Sequence, residues 1–168
     1  PNITVPELMQ YLKAPDFPTG GILAGGDELL QAYTTGRGRV MVRARCEVDE
    51  EHHRIIVTEI PYQVNKSMLI TNIAELAKDK RIEGISDLRD ESGKDGMRIV
   101  IDLKRDANPQ VVLNQLFKYT RLQDSFSINM IAICDGKPKT MGLKEVLANF
   151  IKFQEEIVTR RTKYDLEK

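Results

Sequence analysis

Residues 37–48 alternate with a period of two. Arg37, Arg39, Met41, Arg43 and Arg45 share one parity, and Val40, Val42, Ala44 and Cys46 share the other. Successive side chains of an extended strand point to opposite faces, so this segment reads as a strand with one apolar and one arginine-lined side. Such a strand demands a sheet with one buried face and excludes an all-helical fold. At ~3.4 Å per residue the four guanidinium groups spread over ~27 Å. Alternate strand positions advance by roughly 7 Å, close to the phosphate spacing along one DNA strand. Guanidinium grips phosphate with a bidentate fork, and four arginines without a lysine in nine positions favour that use. The alternative is a solvated outer face with cross-strand partners, Glu59 being one.

The rest of the chain supplies the layers. Thr4-Val5-Pro6-Glu7 is a capping box with proline in the first turn, which starts a short helix. Asp27 is placed to cap a second short helix that Gly36 ends. After the polar run 47–54, His53–Ile60 reads as a strand in hairpin with 37–48, and Pro61 stops it. Asn65 caps a helix to about Lys80, broken by Gly84. Ile85–Asp90 and Met97–Leu103 read as strands around the turn Gly93-Lys94-Asp95-Gly96. Asn108-Pro109 opens another helix, and Ser125–Cys134 reads as one further strand before Asp135-Gly136. From about Leu143 the remaining 26 residues read as one helix of ~39 Å. The order from His53 is strand, helix, strand, strand, helix, strand. The expected fold class is therefore α+β, a ferredoxin-like βαββαβ antiparallel sheet with an extra N-terminal hairpin strand and a long C-terminal helix. The expected divisions are a lead-in at 1–36, an α+β domain at 37–140 and a helical arm at 141–168. With no initiator Met and no stop signal after the last helix, the chain reads as excised from a larger protein.

Composition narrows the function classes. The 168 residues carry 25 Lys plus Arg against 25 Asp plus Glu, with 41% hydrophobic residues. That argues against intrinsic disorder and against a globally basic DNA coat, but leaves room for a local basic patch. No apolar run approaches a membrane span. Cys46 and Cys134 read as two thiols in a reducing cytoplasm rather than a disulfide. His52 and His53 fall in a solvated hairpin loop without metal-ligand spacing. Gly20–Gly26 lacks the Gly-Lys-Ser/Thr ending of a phosphate loop and reads as turns. Gly36-Arg37-Gly38-Arg39 lacks the prolines of a minor-groove hook and reads as strand entry. Asp87, Asp90, Glu91 and Asp95 have neither calcium-loop nor paired catalytic spacing and read as a polar hairpin tip. The strand Met97–Leu103 carries no aromatic for stacking RNA bases. No catalytic constellation and no metal site is expected.

Several runs resemble the A subunits of the DNA gyrase and topoisomerase IV family, the type IIA topoisomerases. They are Ala14-Pro15-Asp16-Phe17-Pro18-Thr19, Tyr33-Thr34-Thr35-Gly36-Arg37-Gly38, Glu59-Ile60-Pro61-Tyr62-Gln63-Val64-Asn65-Lys66, Gly84–Ser92, Asp95–Ile101, Ser127–Met130 and Thr159-Arg160-Arg161-Thr162. They cover nearly the whole chain in order, and Tyr62–Lys66 leans towards gyrase. The resemblance implies the tower domain and the start of a coiled-coil arm. The parent enzyme is then an ATP-hydrolysing type II topoisomerase that homodimerises, binds duplex DNA and pairs with a B-type ATPase subunit in the cytoplasm. ATP and magnesium are held on that B-type partner, and no cofactor is implied for these residues. The catalytic tyrosine precedes Pro1 in the family, and none of Tyr11, Tyr33, Tyr62, Tyr119 or Tyr164 stands in its motif. The expected DNA-backbone contacts are Arg37, Arg39, Arg43 and Arg45, with Lys66 added by family position. The rival readings are a purely structural connector and a ferredoxin-like ligand-binding regulatory domain.

Overall fold

The computed structural model describes residues 2–168. In chain order the elements are α1 (Val5–Leu8), β1 (Ile22–Ala24), α2 (Asp27–Thr35), β2 (Arg37–Arg43), β3 (Arg45–Asp49), β4 (Arg54–Glu59) and α3 (Lys66–Lys78). Then follow β5 (Ile85–Asp90), β6 (Ile99–Leu103), α4 (Pro109–Tyr119), β7 (Gln123–Asn129), β8 (Ile131–Cys134), β9 (Lys137–Thr140) and α5 (Leu143–Leu166). The fold is α+β with antiparallel sheets and a long C-terminal helix. Two compact units form. One holds the described residues up to Pro15 with Gly25–Val40 and Ser127–Lys168; the other holds Asp16–Ala24 and Met41–Phe126.

The second unit is built on an antiparallel sheet of order β3-β4-β6-β5. Its inner face carries Ile55, Val57, Ile99 and Ile101, all fully buried in one core cluster with Leu69 and Ile73 of α3 and Val112 and Leu116 of α4. Both helices start where the sequence places caps. The Asn65 side chain accepts from Met68 N–H at 3.0 Å, and Asn108 accepts from Gln110 N–H at 3.0 Å beside Pro109. These contacts satisfy amide donors that a helix start leaves without partners. The opposite face carries the buried pair Ile56 and Val100 and, beside it, a charged row. Asp49, Arg54, Asp102 and Asp87 stand opposite one another across all four strands.

In the first unit α2 packs against α1 and α5, burying Leu29, Ala32 and Tyr33. Gly36 ends α2 in the left-handed region, φ +82°, as the sequence expects. A Cβ there would lie 2.5 Å from the Met141 carbonyl oxygen. Gly36→Ala therefore meets a conformational penalty of about 1–2 kcal/mol and a backbone clash. Thermal unfolding should show a loss of about 2 kcal/mol or more; a loss below about 0.5 kcal/mol, the size of an ordinary surface change, would contradict this packing. On α5, Phe150, Ile151, Phe153 and Val158 are each about half exposed.

Asp27 is the first residue of α2 rather than its cap, which is Gly26 without a side-chain bond, and three strand expectations need correction. The strand 37–48 is two strands in different sheets, divided at Ala44. Ala44 N–H leaves the hairpin to bond the Leu122 carbonyl at 2.7 Å, and the register with β4 shifts between Arg45 and Cys46. The last ferredoxin-like strand does not join the four-stranded sheet. That fold puts it beside β4; here β3 takes that edge, and β7 lies in a three-stranded sheet of order β1-β2-β7. The strand expected over 125–134 also breaks at Met130, whose N–H bonds the Gly36 carbonyl at 2.8 Å, and β8 turns back through Asp135-Gly136 to pair with β9. A smaller difference lies between the two glycine pairs, where Ile22–Ala24 pairs antiparallel with Met41–Arg43 as β1.

Candidate nucleic-acid interface

On β2 the alternation holds. Arg37, Arg39 and Arg43 are exposed, while Val40 and Val42 are buried. The strand starts cleanly because the Thr35 hydroxyl accepts from Arg37 N–H at 3.2 Å and donates to the Arg37 carbonyl at 2.9 Å. Arg37 and Arg39 fall in the first unit; Arg43, Arg45 and Lys66 fall in the second. The break at Ala44 puts Arg45 on β3, outside the three-arginine row of β2.

Within the second unit the three cations have different partners. Arg43 Nε donates to the Gln123 side-chain oxygen, and its guanidinium sits 5.4 Å from the centre of the Phe117 ring. A neutral amide and a ring face hold the group without cancelling its charge. Arg45 Nε donates to Glu59 Oε1 at 2.9 Å. The other carboxylate oxygen, Oε2, accepts from Gly21 N–H. That backbone bond, more than Arg45, holds the Glu59 carboxyl below its ordinary pKa against the opposing effect of burial. Gly20 permits the approach: its φ is +70°, and a Cβ there would come within 2.4 Å of Glu59 Oε2. Lys66 Nζ lies 2.7 Å from Asp90 Oδ2, and Asp90 also accepts from Ser92 N–H at 3.1 Å.

The acidic hairpin is an ion-paired network. Arg89 bonds Asp87 at 2.9 Å, Glu91 at 3.3 Å and Asp102 at short range, and Arg98 bonds Glu91 at 3.1 Å. Asp87 and Asp102 are direct cross-strand neighbours, a repulsive pairing unless a cation intervenes. Arg89, two residues along the same strand face, supplies it. His52 and His53 occupy the hairpin loop as expected. His52 Nδ1 lies 3.0 Å from Asp49 Oδ2, and His53 Nε2 lies 2.8 Å from the Lys104 carbonyl. The Cys46 thiol is pushed up to about 12 by burial, and both cysteines are free.

Two carboxylates in these networks are strongly acidified. Asp90 is lowered to about 2, chiefly by Lys66, and Asp49 to about 2, chiefly by His52 N–H. Depressed carboxylate pKa values mean that these contacts contribute fully above the unfolded value near 4 and are lost as pH falls through the folded one. The expected window is therefore about pH 4 down to about 2. Side-chain carboxyl NMR should place both midpoints near 2; midpoints at the ordinary Asp value of about 3.9 would mean the pairs are not formed in solution.

Spacing alone misses Gln123 and Phe117, for nothing near Arg43 in sequence marks them. Arg89 does carry a signal, the same-face alternation of Asp87, Arg89 and Glu91.

The family described as the A subunit of DNA gyrase/topoisomerase IV matches residues 1–168. The chain is 57% identical over 171 residues to a DNA gyrase A subunit of Clostridium acetobutylicum, covering 100% of this chain and 21% of that protein. It is 54% identical to the DNA gyrase A subunit of Pseudomonas aeruginosa, covering 100% of this chain and 19% of the relative. A chloroplastic/mitochondrial DNA gyrase A subunit of Arabidopsis thaliana is also 54% identical, over 99% of this chain and 18% of the relative. The chain thus spans about a fifth of the length of the curated relatives it matches.

Proposed function

The chain belongs to the family of DNA gyrase/topoisomerase IV A subunits, and on that premise we propose that it is a DNA-gripping, non-catalytic part of a type IIA topoisomerase. Its parent cuts and reseals both strands of one duplex while passing another through, homodimerises, and pairs in the cytoplasm with a B-type subunit that carries ATP and magnesium. Within it, these residues form the tower region, related to the ferredoxin-like fold, with α5 as the start of a coiled-coil arm. The arginines of β2 and β3, with Lys66, hold the phosphate backbone beside the cleaved site and support its bending. Backbone contact carries no sequence information, which suits an enzyme that acts on any duplex.

The observation that carries this reading is Arg43. Its guanidinium is exposed and held in place, and neither Gln123 nor Phe117 cancels its charge. A connector without DNA contact is the second reading, favoured by the carboxylate partners of Arg45 and Lys66. Fluorescence anisotropy of the 168-residue chain on labelled duplexes separates them. Replacing Arg39 and Arg43 with Gln should weaken binding to all sequences alike; unchanged affinity leaves the connector. Incubated with supercoiled DNA, ATP and magnesium, the chain should give no protein-linked nick, and such a nick would reopen its five tyrosines as nucleophiles.

A further inference from the structure

Three arrangements stand out beyond the proposed grip itself: the half-exposed apolar side of α5, the ion network of the β5–β6 hairpin, and the two-sided clasp of Glu59. The first has nothing in the structure to say what covers it, and in the second each carboxylate already has an arginine partner and nothing points to a ligand. The third has a directional consequence.

We propose that Glu59 is a positioning residue that restrains Arg45, so that Arg43 is the principal phosphate contact of its unit and Glu59 sets an upper limit on how strongly that unit grips DNA. This rests on the DNA-gripping reading above. Glu59 is not a rim charge free to swing away. Its Oε2 is fixed by Gly21 N–H and its Oε1 faces Arg45 Nε at 2.9 Å. The missing Cβ of Gly20 leaves the space that the carboxylate fills. A phosphate approaching Arg45 must therefore accept a carboxylate as its neighbour or displace one anchored to the backbone. Arg43, one step of alternation away, presents the opposite case. Its Nε is spent on a neutral amide and its face on a ring, which leaves the Nη groups directed by the protein and the full charge available. Both tethers use Nε, the donor least needed for an end-on phosphate fork. The two arginines thus share a mode of restraint and differ in the charge of the restraining group.

The experiment uses the full 168-residue chain, a labelled 20-base-pair duplex, and titrations from 50 to 200 mM salt. One phosphate contact contributes about 0.9 to the log–log slope, or about 3.5-fold in affinity over that range. Arg43→Gln should flatten the slope by about 0.9, and Arg45→Gln should leave it essentially unchanged. Glu59→Gln, whose amide oxygen can still accept from Gly21 N–H, should steepen it by about 0.9 and tighten binding at 50 mM. In an Arg45→Gln background the same change should do nothing, since its effect runs through Arg45. Glu50→Gln, in the exposed hairpin loop, controls for the change in net charge. If Glu59→Gln fails to fold, the contrast between Arg43→Gln and Arg45→Gln decides alone, because both leave the Gly21 bond in place. Equal effects of the two arginine changes, or a Glu59→Gln slope no steeper than that of Glu50→Gln, overturn the inference while the DNA grip stands. No effect of any arginine change overturns the DNA-gripping reading, and this inference with it.

Discussion

Leu116→Ala should destabilise the second unit by about 2–5 kcal/mol, the range for emptying a fully buried leucine site. Leu116 is completely buried in the core cluster between α4 and the inner face of the β3-β4-β6-β5 sheet. The site resists collapse. The Thr120 hydroxyl bonds the Leu116 carbonyl at 2.6 Å, and Asn108 and Pro109 fix the other end of the helix. For a unit of this size 1 kcal/mol moves the unfolding midpoint by about 4–8 °C, so the shift should exceed about 8 °C. Phe153→Ala on α5 is the contrast. It removes a larger side chain that is 53% exposed, so little burial is lost and the change should stay within about 0.5 kcal/mol. Circular dichroism melts of the two variants check both numbers. A Leu116→Ala loss below about 1 kcal/mol would mean that α4 is not seated as described, and a large Phe153→Ala loss would mean that the apolar side of α5 is covered in solution.

The elements legible in the sequence are those whose ends are set by local chemistry. Asn65 and Asn108 mark helix starts because their side chains bond amides two or three residues on. Gly36 marks a helix end because only a left-handed residue fits there, and β5 runs over the residues expected, Ile85–Asp90. What escaped depends on partners remote in sequence. Ala44 keeps the apolar parity of the strand and is buried as that parity demands, yet its N–H is bonded to Leu122 rather than across the hairpin. Burial patterning is satisfied equally by one strand or by two strands in different sheets, so periodicity cannot locate the switch. Met130 hides a break in the same way, through a bond to Gly36. The same limit governs the site. Spacing exposes Arg43 and Arg45 as neighbours of one kind, and Glu59 is identifiable as a cross-strand partner. Only the fold shows that Glu59 pairs with Arg45, while Arg43 reaches Gln123, eighty residues away.

Binding of the 168-residue chain to duplex DNA should fall by about 40-fold between 50 and 200 mM salt, a log–log slope near −2.7. The number follows from counting charges on the strands. Arg37, Arg39 and Arg43 occupy alternate exposed positions of β2, and each phosphate neutralised contributes about 0.9 to the slope. Arg45 and Lys66 lie on β3 and α3, outside this strand, and are held by carboxylates at 2.9 and 2.7 Å, so the count is that of the exposed arginines of β2. If Arg45 also engaged, the slope would be about −3.6 and the loss about 150-fold. Those outcomes differ by a factor of nearly four, well within the resolution of a titration. Net charge is zero, so no long-range attraction adds to the contacts, and affinity should stay in the non-specific range of about 10⁻⁴ to 10⁻⁶ M. Arg39→Gln with Arg43→Gln should flatten the slope by about 1.8. On the proposed reading, the same pair of changes in the full-length protein should reduce formation of the covalent DNA complex, and an unchanged yield would count against that reading. A slope near zero would leave the arginine row as a solvated face and the chain as a connector.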